Sequence, residues 1–95
     1  MANSKMLQPL DLVKICLNER IHVKLRGSRE LVGVLHAFDQ HLNLMVQDVK
    51  ETLKYLETDP ETLEESVKVV TREFELLYVR GDIVILISPL VSSQT

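Results

Sequence analysis

Between positions 21 and 26 apolar and polar residues alternate, Ile21, Val23 and Leu25 against His22, Lys24 and Arg26. This is the period of a strand with one buried face. The preceding stretch has a different period: Leu10, Val13 and Leu17 fall at i, i+3 and i+7 behind Pro9, which suits a first helical position, and Asn18 is a reasonable stop. A short helix over Pro9–Leu17 is predicted, too short to stand alone in water and therefore docked on something. Everything after it reads as strand. Glu30–Asp39 is apolar on both faces apart from His36, Asn43–Leu56 is a third strand, Val67–Val79 a fourth and Ile83–Ile87 a fifth, ended by Pro89.

The breaks between strands are polar and short. Arg26-Gly27-Ser28-Arg29 reads as a hairpin turn, because Gly27 can take the positive φ that a tight connection needs. Asp39-Gln40-His41 and Arg80-Gly81-Asp82 are two further turns. Pro60, with no amide hydrogen for a sheet, marks a loop at Thr58–Thr62. Gly33 lies mid-strand, where glycine marks a bend or a close backbone approach. The predicted fold is mainly β, one helix and then five antiparallel strands in a strongly bent, open barrel. An open barrel keeps its edges. Ile83-Val84-Ile85-Leu86-Ile87 carries no charge and would aggregate if left unpaired, which predicts that another chain covers it.

At 95 residues the chain is one small domain with a limited core. There is no run of apolar residues long enough to span a bilayer, and Met1–Gln8 lacks a hydrophobic signal core, so a soluble intracellular protein without membrane contact is expected. Cys16 is the single cysteine, which removes disulfide scaffolds and zinc knuckles; no metal and no cofactor is expected. The net charge of −3, from 11 basic and 14 acidic residues, argues at first sight against nucleic acid. Five of those acids, Glu57, Asp59, Glu61, Glu64 and Glu65, sit in one stretch, and without them nine acids face 11 bases. The acidity is local, and an anion-binding site elsewhere remains open.

Candidate chemistry lies in two of the turns. His41 and Arg80 are planar groups able to sandwich one base of a single-stranded nucleic acid, a contact worth roughly 1–3 kcal/mol per base. Asn43 offers an acceptor to uracil N3–H and a donor to O4. A free amide can flip and serve cytosine; a carboxylate that accepts its spare hydrogen prevents the flip, and Asp39 and Asp82 are the candidates. Gly81 lets the backbone approach a base, and its N–H is a further donor to a uracil oxygen. Lys24, Arg26 and Arg29 are candidate phosphate contacts or a solvated hairpin tip. His22 and His36 read as packing or surface residues. An enzyme would need a nucleophile or paired groups in a pocket, and none accompanies Asp39 and His41. A protein-binding adaptor on a similar small barrel is the alternative, weakened by the lack of tryptophan. Arg80-Gly81-Asp82 also spells an integrin-binding tripeptide, which a chain without secretory features has no use for.

Gly33, Asp39 and Asn43 at this spacing, followed by Arg80-Gly81-Asp82 between apolar strands, resemble the two halves of the Sm fold signature. Together with the stretch from Arg29 to Met45, the sequence most resembles the third-numbered branch of the eukaryotic Sm-like (Lsm) family. The resemblance implies an Sm domain over 9–89, with a flexible N-terminus (1–8), an acidic insertion (57–66) between the third and fourth strands, and a tail (90–95). It implies a non-catalytic ring subunit, usually of a hetero-heptamer with other Lsm subunits, that binds the uridine-rich 3′ ends of single-stranded RNA through Asp39, His41, Asn43, Arg80, Gly81 and Asp82. In such rings the fourth strand of one subunit pairs with the fifth of the next, which here involves Val69, Phe74, Leu76 and Tyr78 with Ile83, Val84, Ile85, Leu86 and Ile87. It further implies roles in U6 small nuclear RNA and pre-mRNA splicing in the nucleus and in mRNA decapping and decay in the cytoplasm. Two complementary edges also predict a homo-oligomeric ring for the isolated chain.

Overall fold

Seven residues form the opening helix, α1 (Pro9–Ile15). It ends two residues earlier than the apolar spacing predicts. Cys16 N–H donates to Val13 O (2.9 Å) and Leu17 N–H to Lys14 O (3.2 Å), the tighter i→i+3 pattern. That tightening rotates Leu17 off the stripe and onto the surface, so Val13 and Cys16 dock the helix instead. Burial, and then the nearby Glu19 carboxylate, push the Cys16 thiol up from its ordinary range. Asn18, at φ +66°, turns the chain and donates its N–H to Leu35 O (2.7 Å). The computed structural model describes residues 9–90; the segments expected to be loose, 1–8 and 91–95, lie outside the described residues.

Five antiparallel strands follow: β1 (Arg20–Leu25), β2 (Arg29–Phe38), β3 (Leu44–Thr58), β4 (Glu65–Val79) and β5 (Val84–Pro89). They form one sheet in the order β4-β3-β2-β1-β5, so β4 and β5 are its two free edges and the barrel is not closed. Ile83, expected to open the last strand, belongs to a 3-10 turn (Gly81–Ile83), and its carbonyl oxygen accepts from Arg26 N–H (3.0 Å).

Three irregularities bend the sheet. At the first, Val32 faces Lys50 but Val34 faces Gln47, so β3 carries an extra residue opposite Gly33. Asp48 takes it up at φ +52°. A Cβ on Gly33 would lie 2.6 Å from Val46 Cγ1 and 2.8 Å from Gln47 O; the bend works only with glycine there. The second gives β2 an extra residue between Leu35 and Ala37. The third leaves Ile85 unpaired between Val84 and Leu86. Curled in this way, the sheet encloses Ile21, Val23, Leu31, Leu35, Leu44, Val46 and Val49, each essentially buried, at about 1.5–3 kcal/mol per side chain.

The interior ends in charge. Along the inward face of β3, Leu44, Val46 and Val49 give way to Glu51, which is only 4% exposed. Arg72, its partner across β4, donates from Nε (2.9 Å) and Nη2 (2.6 Å) to Glu51 Oε1 and lies 5.5 Å over the Phe74 ring. Arg29 Nε stands 3.6 Å from the other carboxylate oxygen. Arg29 therefore lies at the core mouth and is partly exposed, while Lys24 and Arg26 are exposed.

Beyond this point β2 no longer accompanies β3: their last pair is Arg29 with Leu53. β3 and β4 continue alone as a two-stranded arm, paired from Leu53/Val70 to Thr58/Glu65. The acidic segment expected as a loop over 57–66 is thus strand at its two ends, 57–58 and 65–66, and loop over 59–64. Its closure is local. Asp59 Oδ1 accepts from Glu61 N–H (2.8 Å), and Leu63 N–H donates to Asp59 O (2.8 Å) with Leu63 at φ +61°. The loop after β2 is similar but one residue tighter, with Asp39 first and Leu42, at φ +64°, donating its N–H to Asp39 O (3.0 Å). Leucine in the left-handed region is strained, and Leu63 is exposed, so nothing in its packing offsets that. Leu63→Asn is expected to raise stability by about 0.5 kcal/mol, read as a higher urea midpoint at unchanged slope.

Candidate functional site

Two connections that are distant in sequence touch at one end of the barrel. The β2–β3 loop brings Asp39, His41 and Asn43; the turn after β4 brings Arg80, Gly81 and Asp82. Their contact is close: a Cβ on Gly81 would collide with the His41 carbonyl oxygen and lie 2.9 Å from two backbone carbons, those of His41 and Leu42. Glycine is required here by proximity alone.

Asn43 is the centre of the arrangement. Its Oδ1 accepts from Gly81 N–H (2.7 Å), and its Nδ2 donates to Asp39 Oδ2 (2.9 Å). The other Asp39 oxygen accepts from the backbone N–H of His41 (2.8 Å) and of Asn43 (3.1 Å). The amide is held from both ends, and a flip would set donor against donor and acceptor against acceptor. One N–H and one lone pair of Asn43 are left over for a ligand. The hydrogen bond from the Asn43 side chain, helped by the two backbone N–H groups, lowers the Asp39 carboxyl below its ordinary range.

The structure thus separates roles that the sequence left together. Asp39, and not Asp82, accepts the spare hydrogen of Asn43. Asp82 pairs with Arg80 (Nη2 to Oδ2, 3.1 Å), and both side chains are exposed. The Gly81 N–H, expected as a donor to a base, is spent on Asn43. His41 is exposed, as is Arg80, on adjoining loops. A shallow recess of about 170 Å³ opens beside Asp39 and Asn43, lined also by Phe38, Met45 and Tyr78. Sequence reasoning placed Tyr78 in the core or in subunit contact and not beside Asn43. Its place next to Asn43 follows from the pairing of Met45 with Tyr78, a register that no local pattern gives.

The residues expected at the edges divide by side-chain direction. Leu76 and Tyr78 on β4 and Ile85 and Leu86 on β5 are exposed, whereas Phe74, Ile83, Val84 and Ile87 pack against the core. Val69 stands apart from them, out on the arm. Away from these edges, His22 Nε2 donates to Glu30 Oε1 across β1 and β2 (2.7 Å), and this hydrogen bond lowers the Glu30 carboxyl.

A bent, open five-stranded sheet behind a short helix, with a doubly held asparagine where two loops meet, defines the class. The model of the LSM domain matches residues 11–89, and the chain belongs to that family. It is 58% identical over 82 residues to the Sm-like protein LSM3B of Arabidopsis thaliana, covering 86% of this chain and 84% of the relative. To the probable U6 snRNA-associated Sm-like protein LSm3 of Dictyostelium discoideum it is 56% identical over the same shares. Among solved structures, the Pyrococcus abyssii Sm protein in complex with a uridine heptamer superposes with a TM-score of 0.65 at 27% identity, covering 88% of this chain and all of the other. The heptameric Sm protein SmAP1 of P. aerophilum gives 0.68 at 26% identity, over 93% of this chain and all of the other. Membership makes this chain a binding protein and not an enzyme.

Proposed function

We propose that this chain is a subunit of a ring of Sm-like proteins that binds uridine-rich single-stranded RNA at its 3′ end, in U6 small nuclear RNA metabolism and splicing in the nucleus and in mRNA decapping and decay in the cytoplasm. The observation that carries the reading is the fixed Asn43 amide. Its free acceptor and donor are offered in one order only, which matches the N3–H and O4 edge of uracil and opposes the reversed edge of cytosine. Exposed His41 and Arg80 flank it as stacking groups. The uridine-bound archaeal relative and the U6-associated relative support the same ligand. Exposed Leu76 and Tyr78 at one edge and Ile85 and Leu86 at the other support joining of subunits by strand pairing, which would remove both open edges.

Asp39→Asn replaces the carboxylate that holds Asn43 by an amide able to face it either way. Relative binding of oligo(C) to oligo(U), by fluorescence anisotropy on the assembled ring, is expected to rise about tenfold, the worth of one hydrogen bond. The pH dependence has a definite sign. Because Asp39 is lowered in the folded protein, the restraint is complete above its unfolded pKa and is lost only as pH falls through the lowered folded value. Uridine preference should therefore stay level from neutrality to about pH 4 and decline below it. An unchanged oligo(C) to oligo(U) ratio in the variant would place base selection elsewhere.

A further inference from the structure

We propose that the outer half of β4, Glu65–Arg72, is a strand-addition site for an extended, basic polypeptide segment. The first ground is length. β4 has 15 residues and β5 has six. A neighbour's β5 laid along β4 in a ring faces at most six positions; the other nine are left without a partner strand, and alternate residues among them turn their N–H and C=O outward unpaired. The proposal goes beyond the RNA-binding reading and uses the ring only to assign those six.

The second ground is that the outer edge is long, unkinked and free of proline, and its middle, 67–70, carries a single charge. Such edges are usually short, kinked, charged or interrupted by proline. Here β3 and β4 pair without a register shift from Val49/Phe74 to Thr58/Glu65. Val67, Val69 and Val70 follow one another with Lys68 as the only charge among them, and Lys68 is tied to Glu57 (3.6 Å). Leu56 and Val67 face each other on one side of the ribbon, each 63% exposed, and Tyr55 lies on the opposite side, 45% exposed. A two-stranded ribbon is marginal by itself, and a third strand would cover these groups and supply the missing partners.

The third ground chooses the occupant. Between Leu53 and Val70 there are five carboxylates, Glu57, Asp59, Glu61, Glu64 and Glu65, and two lysines, Lys54 and Lys68. All five acids are exposed. That field repels a phosphate backbone and attracts lysine and arginine, so the segment is polypeptide and not RNA. It is extended, apolar at alternate positions, and basic at the end that meets the tip.

The test uses the assembled, RNA-competent ring and a fluorescein-labelled nine-residue peptide of alternating valine and threonine ending in two lysines. A control peptide carries two glutamates in their place. The lysine peptide is expected to bind, to slow amide hydrogen exchange over residues 65–72, and to bind about tenfold more tightly than the control at low salt. Glu61→Lys/Glu64→Lys, confined to the loop, should reverse that order while leaving oligo(U) affinity unchanged. Absence of binding, or equal binding of both peptides, overturns the proposal. So does protection of 65–72 by oligo(U), or by raising the concentration of the ring alone, which would make RNA or a second copy the occupant. Loss of oligo(U) affinity with peptide binding retained would count against the RNA reading and leave the arm's assignment standing.

Discussion

Substituting alanine for Gly81 is expected to lower the affinity of the assembled ring for oligo(U) about tenfold to a hundredfold. The added methyl would collide with the carbonyl of His41, and its next contacts are backbone carbons, so no side-chain rotation relieves it. The two loops must part. Parting breaks the Gly81 N–H bond to Asn43 Oδ1 and frees one end of the amide. It also moves His41 away from Arg80, so base-edge recognition and stacking fail together. The same crowding and lost hydrogen bond should cost about 2–3 kcal/mol of stability, read from the urea midpoint of the isolated chain. Binding measured in ring that stays assembled separates the local effect from unfolding. Wild-type affinity in such a ring would show that uridine is held elsewhere.

A second large effect is expected at the opposite end of the core. Arg72→Ala leaves the nearly buried Glu51 carboxylate with Arg29 alone, at 3.6 Å and without a hydrogen bond. Breaking a buried pair costs about 3–5 kcal/mol; Arg72 is half-exposed, and water can partly replace it, so about 2–3 kcal/mol is expected here. Replacing both partners, Glu51→Leu with Arg72→Leu, should recover most of that loss, because two apolar chains of similar size close the core mouth without a stranded charge. Chemical denaturation of the two single variants and the double variant gives the coupling directly. Equal loss in the double variant would mean that the side chains matter for shape and not for charge compensation.

What could be read from the residues alone was whatever short-range physics dictates. Alternation gave the strands, Gly27 the tight turn at φ +84°, and Gly33 the bend. The run Ile83–Ile87 gave an exposed edge, since an uncharged strand declares itself at any position. The site was legible as two polar turns because Asp39 and Asn43 are four residues apart and Arg80, Gly81 and Asp82 are contiguous. Where the structure departs from these local patterns, the deciding force is not local. Leu17 fitted a helical stripe that the docked chain abandons after Ile15. The third strand reads as ending at Leu56 and the fourth as starting at Val67, around the loop that Pro60 marks, yet cross-strand pairing carries β3 out to Thr58 and starts β4 at Glu65.

By itself, then, the sequence determined the element types, their order, the bends and the residue kinds at each turn, all of which depend on neighbours a few positions away. Only the tertiary structure decided which of those residues meet. Asn43 joins Gly81 across 38 positions, and Glu51 joins Arg72 across 21. Both follow from the register of β3 on β4, which runs unshifted from Leu44/Val79 to Thr58/Glu65; the extra residues at Asp48 and after Leu35 lie in the β2–β3 ladder and bend the sheet. A one-residue slip sends a side chain to the other face, so the division of labour between Asp39 and Asp82, and the charged mouth of the core, come into being only once the curved sheet has closed around its interior.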